Sequence, residues 1–376
     1  MRPATPAPGA SAVSTWRHRA ATSLGGAAIV VMVAVLSLAL LWVALRLAGF
    51  DATLALGALW RGSFGTWYAL TSSTLVRATP LVLTGLAVAI AFRAGVWNIG
   101  ADGQLLVGAA VATAVGLAWG AQLGWLSIPL ALAAGAIGGA LWAGVAAVLR
   151  TKFGVLEVIS TIMLNFVALD LVGYLVRGPL QEPSHAYPQS DQIPATMHLP
   201  ILIPGTRLHA GFALAVAASL VLWWAMRSTA AGFRVRAIGA NPDAARVAGR
   251  VDVARTTTNV LLLSGALAGL AGAIEVSGVT FALYENISPG YGYTAIAVAL
   301  LAGLDPLGVL GTGILFGSLE AGALSMQREA SVPSVVVTAV EAALVLLLLA
   351  ISRRGSAASI IARFAGARSP TPDDAP

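Results

Sequence analysis

The stretch AFRAGVWNIGADGQ, residues 91–104, joins two long apolar runs and decides how the rest of the sequence is interpreted. The runs, at 70–92 and 99–118, each have about the 20 residues that a helix needs to cross a bilayer. The stretch between them holds three glycines and four polar side chains and leaves no room for a free loop. Irregular backbone at membrane depth is tolerated only where it is buried in protein or lines a wet cavity. The stretch therefore predicts a re-entrant connection; the alternative is a tight cytoplasmic hairpin in which Arg93 pairs with Asp102.

The composition agrees with a membrane protein. Of the 376 residues, 58% are hydrophobic and 10% charged, against roughly 45–50% and about 25% in soluble domains. These proportions exclude a soluble globular protein, a disordered chain and a nucleic-acid-binding domain. The chain has no cysteine, which excludes disulfides, thiolate metal sites and cysteine nucleophiles.

Apolar runs recur along the chain and predict an all-α polytopic membrane protein with about ten transmembrane helices. Asp305-Pro306 divides one double-length run into two spans, because Asp is costly in lipid and Pro favours a turn. With ten spans and both termini cytoplasmic, 16 of the 22 Lys and Arg residues face inward, as the positive-inside rule requires. The predicted spans lie near 24–48, 70–92, 99–118, 124–149, 155–177, 209–227, 256–279, 289–304, 307–326 and 332–352.

This topology divides the chain into a cytoplasmic tail at 1–20, a transmembrane domain at 21–352 and a second cytoplasmic tail at 353–376. A long external loop is expected at 178–207. Loops of this length are uncommon and often functional. Two interpretations stand for it: a solvated cap over the helix ends, or a docking surface for an external partner.

A cytoplasmic loop at 228–255 carries the signals of a short helix. Asn241 is a good N-cap and Pro242 suits the first helical position. Asp243 complements the helix dipole, and Gly249 is a stop signal. From the residues alone, such a helix either lies on anionic lipid or inserts into a groove on another protein.

The fifth predicted span opens with a polar stripe. Glu157, Thr161 and Asn165 follow an i, i+4, i+8 spacing and therefore share one helix face. Hydrogen bonding between helices is one explanation, but a buried acid fits a translocation pathway better. Single acids near span ends, such as Glu275 and Glu320, are expected to be structural or interfacial. The predicted pathway residues are Asn98, Asp102, Gln104, Glu157, Thr161 and Asn165.

The sequence contains no GxxxxGK[ST] motif, no HExxH motif and no serine nucleophile elbow. The chain is therefore not expected to hydrolyse ATP itself or to be an intramembrane enzyme. No metal site is predicted either.

Residues 91–104, 157–165 and 236–249, with the glycine-rich runs 264–272 and 291–304, make the chain resemble a family of permeases. It is similar to the membrane subunits of ATP-binding-cassette importers of the ribose, branched-chain amino acid and nucleoside group. Within that group it most resembles the nucleoside permeases that work with basic-membrane-protein lipoproteins. The resemblance runs from about Thr71 to Ser352, with Asp102 standing where glutamate is more usual.

The resemblance implies an importer type II-like permease fold in the inner (plasma) membrane and no cofactor, since ATP is used by a partner subunit. It implies three protein partners: a cytoplasmic ATPase, a second homologous permease subunit and an external substrate-binding lipoprotein, which the loop 178–207 would touch. It also implies that 239–249 is the coupling helix that docks into the ATPase. The coupling residues by this match are Gly239, Asn241, Pro242, Asp243, Arg246 and Gly249.

The expected function is therefore ATP-driven import of a nucleoside or a related small polar solute. One alternative is the same machine carrying a sugar or a branched-chain amino acid. An alternative of another class is an ion-gradient-driven secondary transporter, which would use buried acids such as Glu157 or Asp170 as proton sites.

Overall fold

Helices are the regular elements of the part of the chain described by the computed structural model, which covers residues 39, 41–247, 251–333, 335–336, 339 and 342. The chain divides into two compact units, Met1–Leu56 with Glu329–Pro376, and Gly57–Arg328. The first and tenth predicted spans and both tails fall largely or wholly outside the described residues, although 41–47 are helical. The helices are α1 Ala52–Ser63, α2 Trp67–Arg93, α3 Ala101–Leu123, α4 Ser127–Phe153, α5 Glu157–Val176, α6 Ala210–Ser228, α7 Ala230–Ala240, α8 Pro242–Val247, α9 Val253–Glu275, α10 Tyr291–Leu301 and α11 Pro306–Ala330.

Six apolar helical segments among the described residues are long enough to cross a membrane. The longest, Ala101–Phe153, is broken at Gly124, where φ is +54° and a single 3₁₀ turn follows. Its two halves, α3 and α4, pack against each other, so the chain reverses direction there. The predicted spans at 99–118 and 124–149 therefore correspond to two separate helices.

The predicted span at 289–304 differs from the structure. Helix α10 has 11 residues, about 17 Å at 1.5 Å per residue, which is too short to cross roughly 30 Å of hydrocarbon. It begins after Gly290, whose φ is +98°, and the preceding segment 281–290 is irregular. Residues 281–301 are thus an irregular segment followed by a short helix.

Helix α9 lies at the centre of the larger unit and packs against α2, α3 and α4. Glycines allow this close approach. A Cβ atom at Gly269 would meet backbone atoms of Gly135 and Gly139 on α4, and one at Gly108 on α3 would meet the backbone of Gly269. Small residues at such contacts let helix backbones touch, so α3, α4 and α9 form a tightly packed core.

Candidate functional site

The segment between α2 and α3 turns back into the bundle. After α2 ends at Arg93, the amide of Val96 donates to the carbonyl of Ala91, and residues 96–100 are non-helical. The Asn98 side chain donates to Ser264 Oγ at 2.8 Å, and Ser264 Oγ donates to the carbonyl of Ala87 at 2.6 Å. These two bonds place Asn98 near the level of Ala87. Ala87 lies six residues before the end of α2 at Arg93, so the chain has returned about 9 Å along that helix. The predicted break in the helix and the return of the backbone into the bundle are present, with Asn98 and Gly100 buried and Trp97 exposed, while the depth of the segment in the membrane stays a prediction.

The alternative hairpin, with Arg93 paired to Asp102, is wrong. Arg93 Nη1 donates to the carbonyl of Gly303 at 3.4 Å. Asp102 Oδ1 instead accepts from Ser288 Oγ at 2.7 Å and from the amide of Gly292 at 2.9 Å. Asp102 thus ties the start of α3 to the first turn of α10.

Asn98 is the centre of a saturated amide network and is fully buried. Its Oδ1 accepts from the amide of Gly100 at 2.9 Å and from Gln104 Nε2 at 3.0 Å. Its Nδ2 donates to Gln104 Oε1 at 3.0 Å as well as to Ser264. Paired amides of this kind leave Asn98 without spare hydrogen-bonding capacity.

The polar stripe on α5 faces the same segment. Glu157 Oε1 accepts from the amide of Trp97 at 3.2 Å, and Thr161 Oγ1 accepts from the amide of Ile99 at 3.2 Å. Asn165 Oδ1 accepts from the amide of Gly103 at 2.8 Å, while its Nδ2 donates to the carbonyl of Ile99 at 2.9 Å. The stripe therefore satisfies backbone groups that the non-helical segment leaves open.

All six predicted pathway residues lie in this one cluster, and all are buried. Glu157 also forms an ion pair with Arg150 of α4, Nη1 to Oε1 at 2.5 Å. The sequence predicted the face and the proximity of these side chains. Their hydrogen-bond partners, however, belong to the protein, and none of the six lines the cavity found at the other end of the bundle.

A cavity of about 190 Å³ lies at the opposite end of the bundle, the end where α2 starts and α9 and α11 finish. Sequence reasoning missed it, because its charged residues sit near span ends and looked interfacial. The available signal was ionisable residues within apolar helices, which are functional candidates by default. The charged and phenolic lining residues are Arg77, Arg207, Glu275, Tyr291 and Arg328.

The predicted coupling region is two helices instead of one. Gly239 belongs to α7, and the extended residue Asn241 separates α7 from α8. Pro242 lacks the N–H that a continuous helix needs and disfavours helical backbone at the residue before it. Asn241 caps α8 as predicted, with Oδ1 accepting from the amides of Asp243 and Ala244 at 3.0 Å. Gly249 lies outside the described residues.

Helix α7 touches the foot of the re-entrant segment. A Cβ atom at Gly239 would overlap the carbonyl oxygen of Arg93, and the Gly239 Cα lies close to Gly95. Asp243 and Arg246 form an exposed ion pair on α8 at 3.1 Å. At Gly239 the coupling region therefore meets the connection that carries Asn98 backbone to backbone, and Val235 of α7 packs in the same apolar cluster as Ala94 and Val96.

The loop 178–207 is anchored on its inner side. The amides of Ser190, Ile193 and Leu199 donate to carbonyls of the segment 277–283. Hydrogen bonds from Gln189 and Ser184 lower the pKa of Glu182 in its tip. Tyr187 and Ile201 remain exposed, so the loop has both a packed inner side and a free outer surface.

A family model described as the permease component of branched-chain amino acid transport systems matches residues 70–352. The guanosine ABC transporter permease protein NupP of Bacillus subtilis is 38% identical over 304 residues, 80% of this chain and 86% of the relative. The glucose ABC transporter permease protein TsgB13 of Haloferax volcanii is 38% identical over 331 residues, 85% and 86%. The nucleoside ABC transporter permease protein NupB of Lactococcus lactis is 32% identical over 284 residues, 73% and 78%. The family match includes the re-entrant segment, the α5 stripe and the coupling region.

Proposed function

This chain belongs to the family of permease components of branched-chain amino acid transport systems, and we propose that it is the membrane-spanning subunit of an ATP-driven nucleoside importer. The observation that carries the proposal is the similarity to guanosine and nucleoside permeases over most of the chain, joined to a buried re-entrant segment in contact with the coupling region. The chain is a multi-pass membrane protein and a transport subunit.

We propose a type II-like arrangement with ten crossings, in which the irregular segment 281–290 and the short helix α10 together make one crossing, and both termini, including the tails 1–20 and 353–376, are cytoplasmic. The pairing of helix ends supports the alternating direction of the described helices. At one end of the bundle Arg207 contacts Ser72, and Thr196 contacts Gly120. At the other end Arg93 contacts Gly303. Each contact joins residues that the topology assigns to the same side of the membrane.

The proposed partners are a cytoplasmic ATPase, which uses the ATP, a second homologous permease subunit and an external substrate-binding lipoprotein. Membership of this permease family supports an ATPase and a binding protein as partners in general. Bacillus subtilis has two similar permeases, NupP and NupQ, both described as guanosine ABC transporter permeases, which supports a heterodimer. The exposed face of the loop 178–207 is the proposed contact for the lipoprotein.

In this proposal α8 is the part that docks into the ATPase, and α7 carries its movement to the re-entrant segment. The six cluster residues then act in the pathway by holding that segment in shape. Gly239 allows α7 to touch Arg93 without an intervening side chain, so a displacement of the coupling region reaches residues 93–100 directly.

Replacing Asn241 and Asp243 together with alanine should weaken ATPase docking. The change removes an N-cap worth about 1 kcal/mol and the Asp243–Arg246 ion pair, and α8 has only six residues to maintain its helix. We expect several-fold less ATPase to co-purify and slower transport. The exposed pair Arg177–Glu285 at the other end of the bundle provides the control: E285A should leave ATPase recovery unchanged. Equal recovery and equal uptake for the double variant would contradict the coupling assignment.

A sugar is the second candidate solute, because a glucose permease matches at 38% identity over slightly more residues than the guanosine permease does. Uptake by cells that express the whole importer distinguishes the two. We expect unlabelled guanosine and adenosine to compete with tritiated guanosine, and a tenfold excess of glucose to leave uptake unchanged. If glucose competed and the nucleosides did not, the imported solute would be a sugar.

Purification from the native membrane in mild detergent tests the subunit proposal. We expect the chain to arrive with an ATPase and with a second permease of different sequence. A chain that arrives alone would contradict the proposed assembly.

A further inference from the structure

The cavity at the external end of the larger unit is built from parts of four helices. Ser73 and Arg77 come from α2, Glu275 from the end of α9, Tyr291 from the start of α10 and Leu324 from α11. Arg207, in the loop before α6, is held there because its amide donates to Ser72 Oγ at 3.0 Å. The proposed topology assigns all these positions to the outer half of the membrane. The volume of about 190 Å³ is room for several water molecules.

Two buried polar groups that line this cavity have no hydrogen bond to the described part of the protein. Glu275 is 6% exposed and Tyr291 5% exposed, yet within the described residues no hydrogen bond reaches the Glu275 carboxylate or the Tyr291 hydroxyl. On α11, Glu320 Oε2 is buried without a hydrogen bond, 3.9 Å from Arg77 Nη1. Buried polar atoms are normally hydrogen-bonded, and each exception calls for an explanation.

The ion pair beside this cavity is long. Arg77 and Glu320 are 3.9 Å apart, whereas Arg150–Glu157 and Arg177–Glu285 close to 2.5 and 2.6 Å. A buried polar atom without a hydrogen bond costs free energy comparable to a lost hydrogen bond. A bound solute with its own donors and acceptors can form hydrogen bonds with these groups. The Asn98 network could bind a solute only by breaking its internal hydrogen bonds.

The geometry points to this cavity as the external receiving site of the permease, where a neutral solute with several hydroxyl or amide groups binds on its way inward. The guanidinium of Arg77 and the hydroxyl of Tyr291 supply donors, and the carboxylate of Glu275 supplies acceptors. Arg77, Arg207 and Arg328 are offset in charge by Glu275 and by Glu320 behind Arg77, so the recognition proposed here depends on hydrogen bonds and not on the charge of the solute. The inference rests on the proposed import function and adds its binding site.

The absence of cysteine from the whole chain permits a direct test by single-cysteine labelling. The importer carrying S73C is reconstituted and treated from the binding-protein side with a membrane-impermeant maleimide. We expect rapid labelling that saturating guanosine slows at least fivefold. T256C is the control, because Thr256 is similarly half-exposed but lies at the other end of α9, so external reagent should not label it. The inference would be overturned if the maleimide did not react with S73C, or if guanosine did not change the rate of labelling.

A second variant tests the contacts themselves. Adding E275Q to S73C should raise the guanosine concentration that gives half-protection at least tenfold. E285Q, an amide substitution in the outer segment away from the cavity, should leave that concentration unchanged. If E275Q prevents recovery of the complex, Y291F replaces it, since it removes only a hydroxyl. Unchanged protection in the recovered variant, or stronger protection by guanosine monophosphate than by guanosine, would overturn the inference.

Wild-type uptake separates this inference from the proposed function. An importer that moves guanosine with ATP but shows no protection at S73C keeps its function and loses this site. A chain that shows no ATP-dependent uptake of guanosine or glucose contradicts the function itself.

Discussion

Replacing Gly269 with leucine is expected to abolish recovery of the folded chain. The atoms nearest to a Cβ at this position are backbone atoms of Gly135 and Gly139 on α4. Backbone atoms cannot move aside as a flexible side chain can, so α9 and α4 would have to separate. Inserting a leucine into such a contact costs at least the 1–3 kcal/mol of ordinary overpacking, and α9 packs against three other helices.

Size-exclusion chromatography of the detergent-solubilised complex, with a fluorescent fusion, measures this effect. We expect the monodisperse peak to fall at least tenfold for G269L. The matched control is G311L: Gly311 also lies within a helix, but it is exposed and a Cβ there would meet nothing within 4 Å. Equal peaks for the two variants would show that the glycine contact does not hold the core together.

Replacing Asn98 with alanine is expected to reduce transport at least tenfold while the complex still assembles. The change removes four hydrogen bonds and leaves the Gly100 amide and the Gln104 side chain without partners. Each stranded buried group costs about 1–3 kcal/mol. We expect the re-entrant segment to lose its fixed shape, whereas the contacts between helices remain.

Initial rates of guanosine uptake, normalised to purified complex, test this prediction. E157A is a companion variant, since it removes the acceptor for the Trp97 amide and leaves Arg150 unpaired. N286A is the control, because Asn286 is exposed in the irregular segment before α10. Normal uptake in both N98A and E157A would contradict a role for the cluster in transport.

Much of the fold could be predicted because crossing a membrane imposes long apolar helices. The predicted spans at 70–92, 155–177 and 209–227 agree with α2, α5 and α6 to within a few residues. The shortness of α10 was not predicted, since hydropathy does not report where a helix begins or ends within an apolar run. Pro289 and Gly290 were the local signals that the helix begins late.

The candidate site was predictable only in part. Helical spacing placed Glu157, Thr161 and Asn165 on one face, and the structure confirms that. Their partners are backbone amides of residues 97, 99 and 103, and these depend on the tertiary position of an extended segment. The external cavity could not be predicted from spacing at all, because Arg77, Glu275 and Tyr291 come from three helices that meet only in the folded chain.

The coupling region, too, could be predicted only in part from the sequence. Asn241 and Pro242 predicted where a helix begins, and the cap is present. The sequence did not indicate that Gly239 lies in a separate helix against Arg93, because that contact joins residues far apart in the chain.

Reconstitution of the complete importer tests the account most directly. The complex is placed in liposomes with ATP on the side of α8 and the binding lipoprotein with tritiated guanosine on the other side. We expect accumulation that requires both hydrolysable ATP and the lipoprotein. Accumulation by this chain alone, driven by an ion gradient without ATP, would contradict it and identify a secondary transporter.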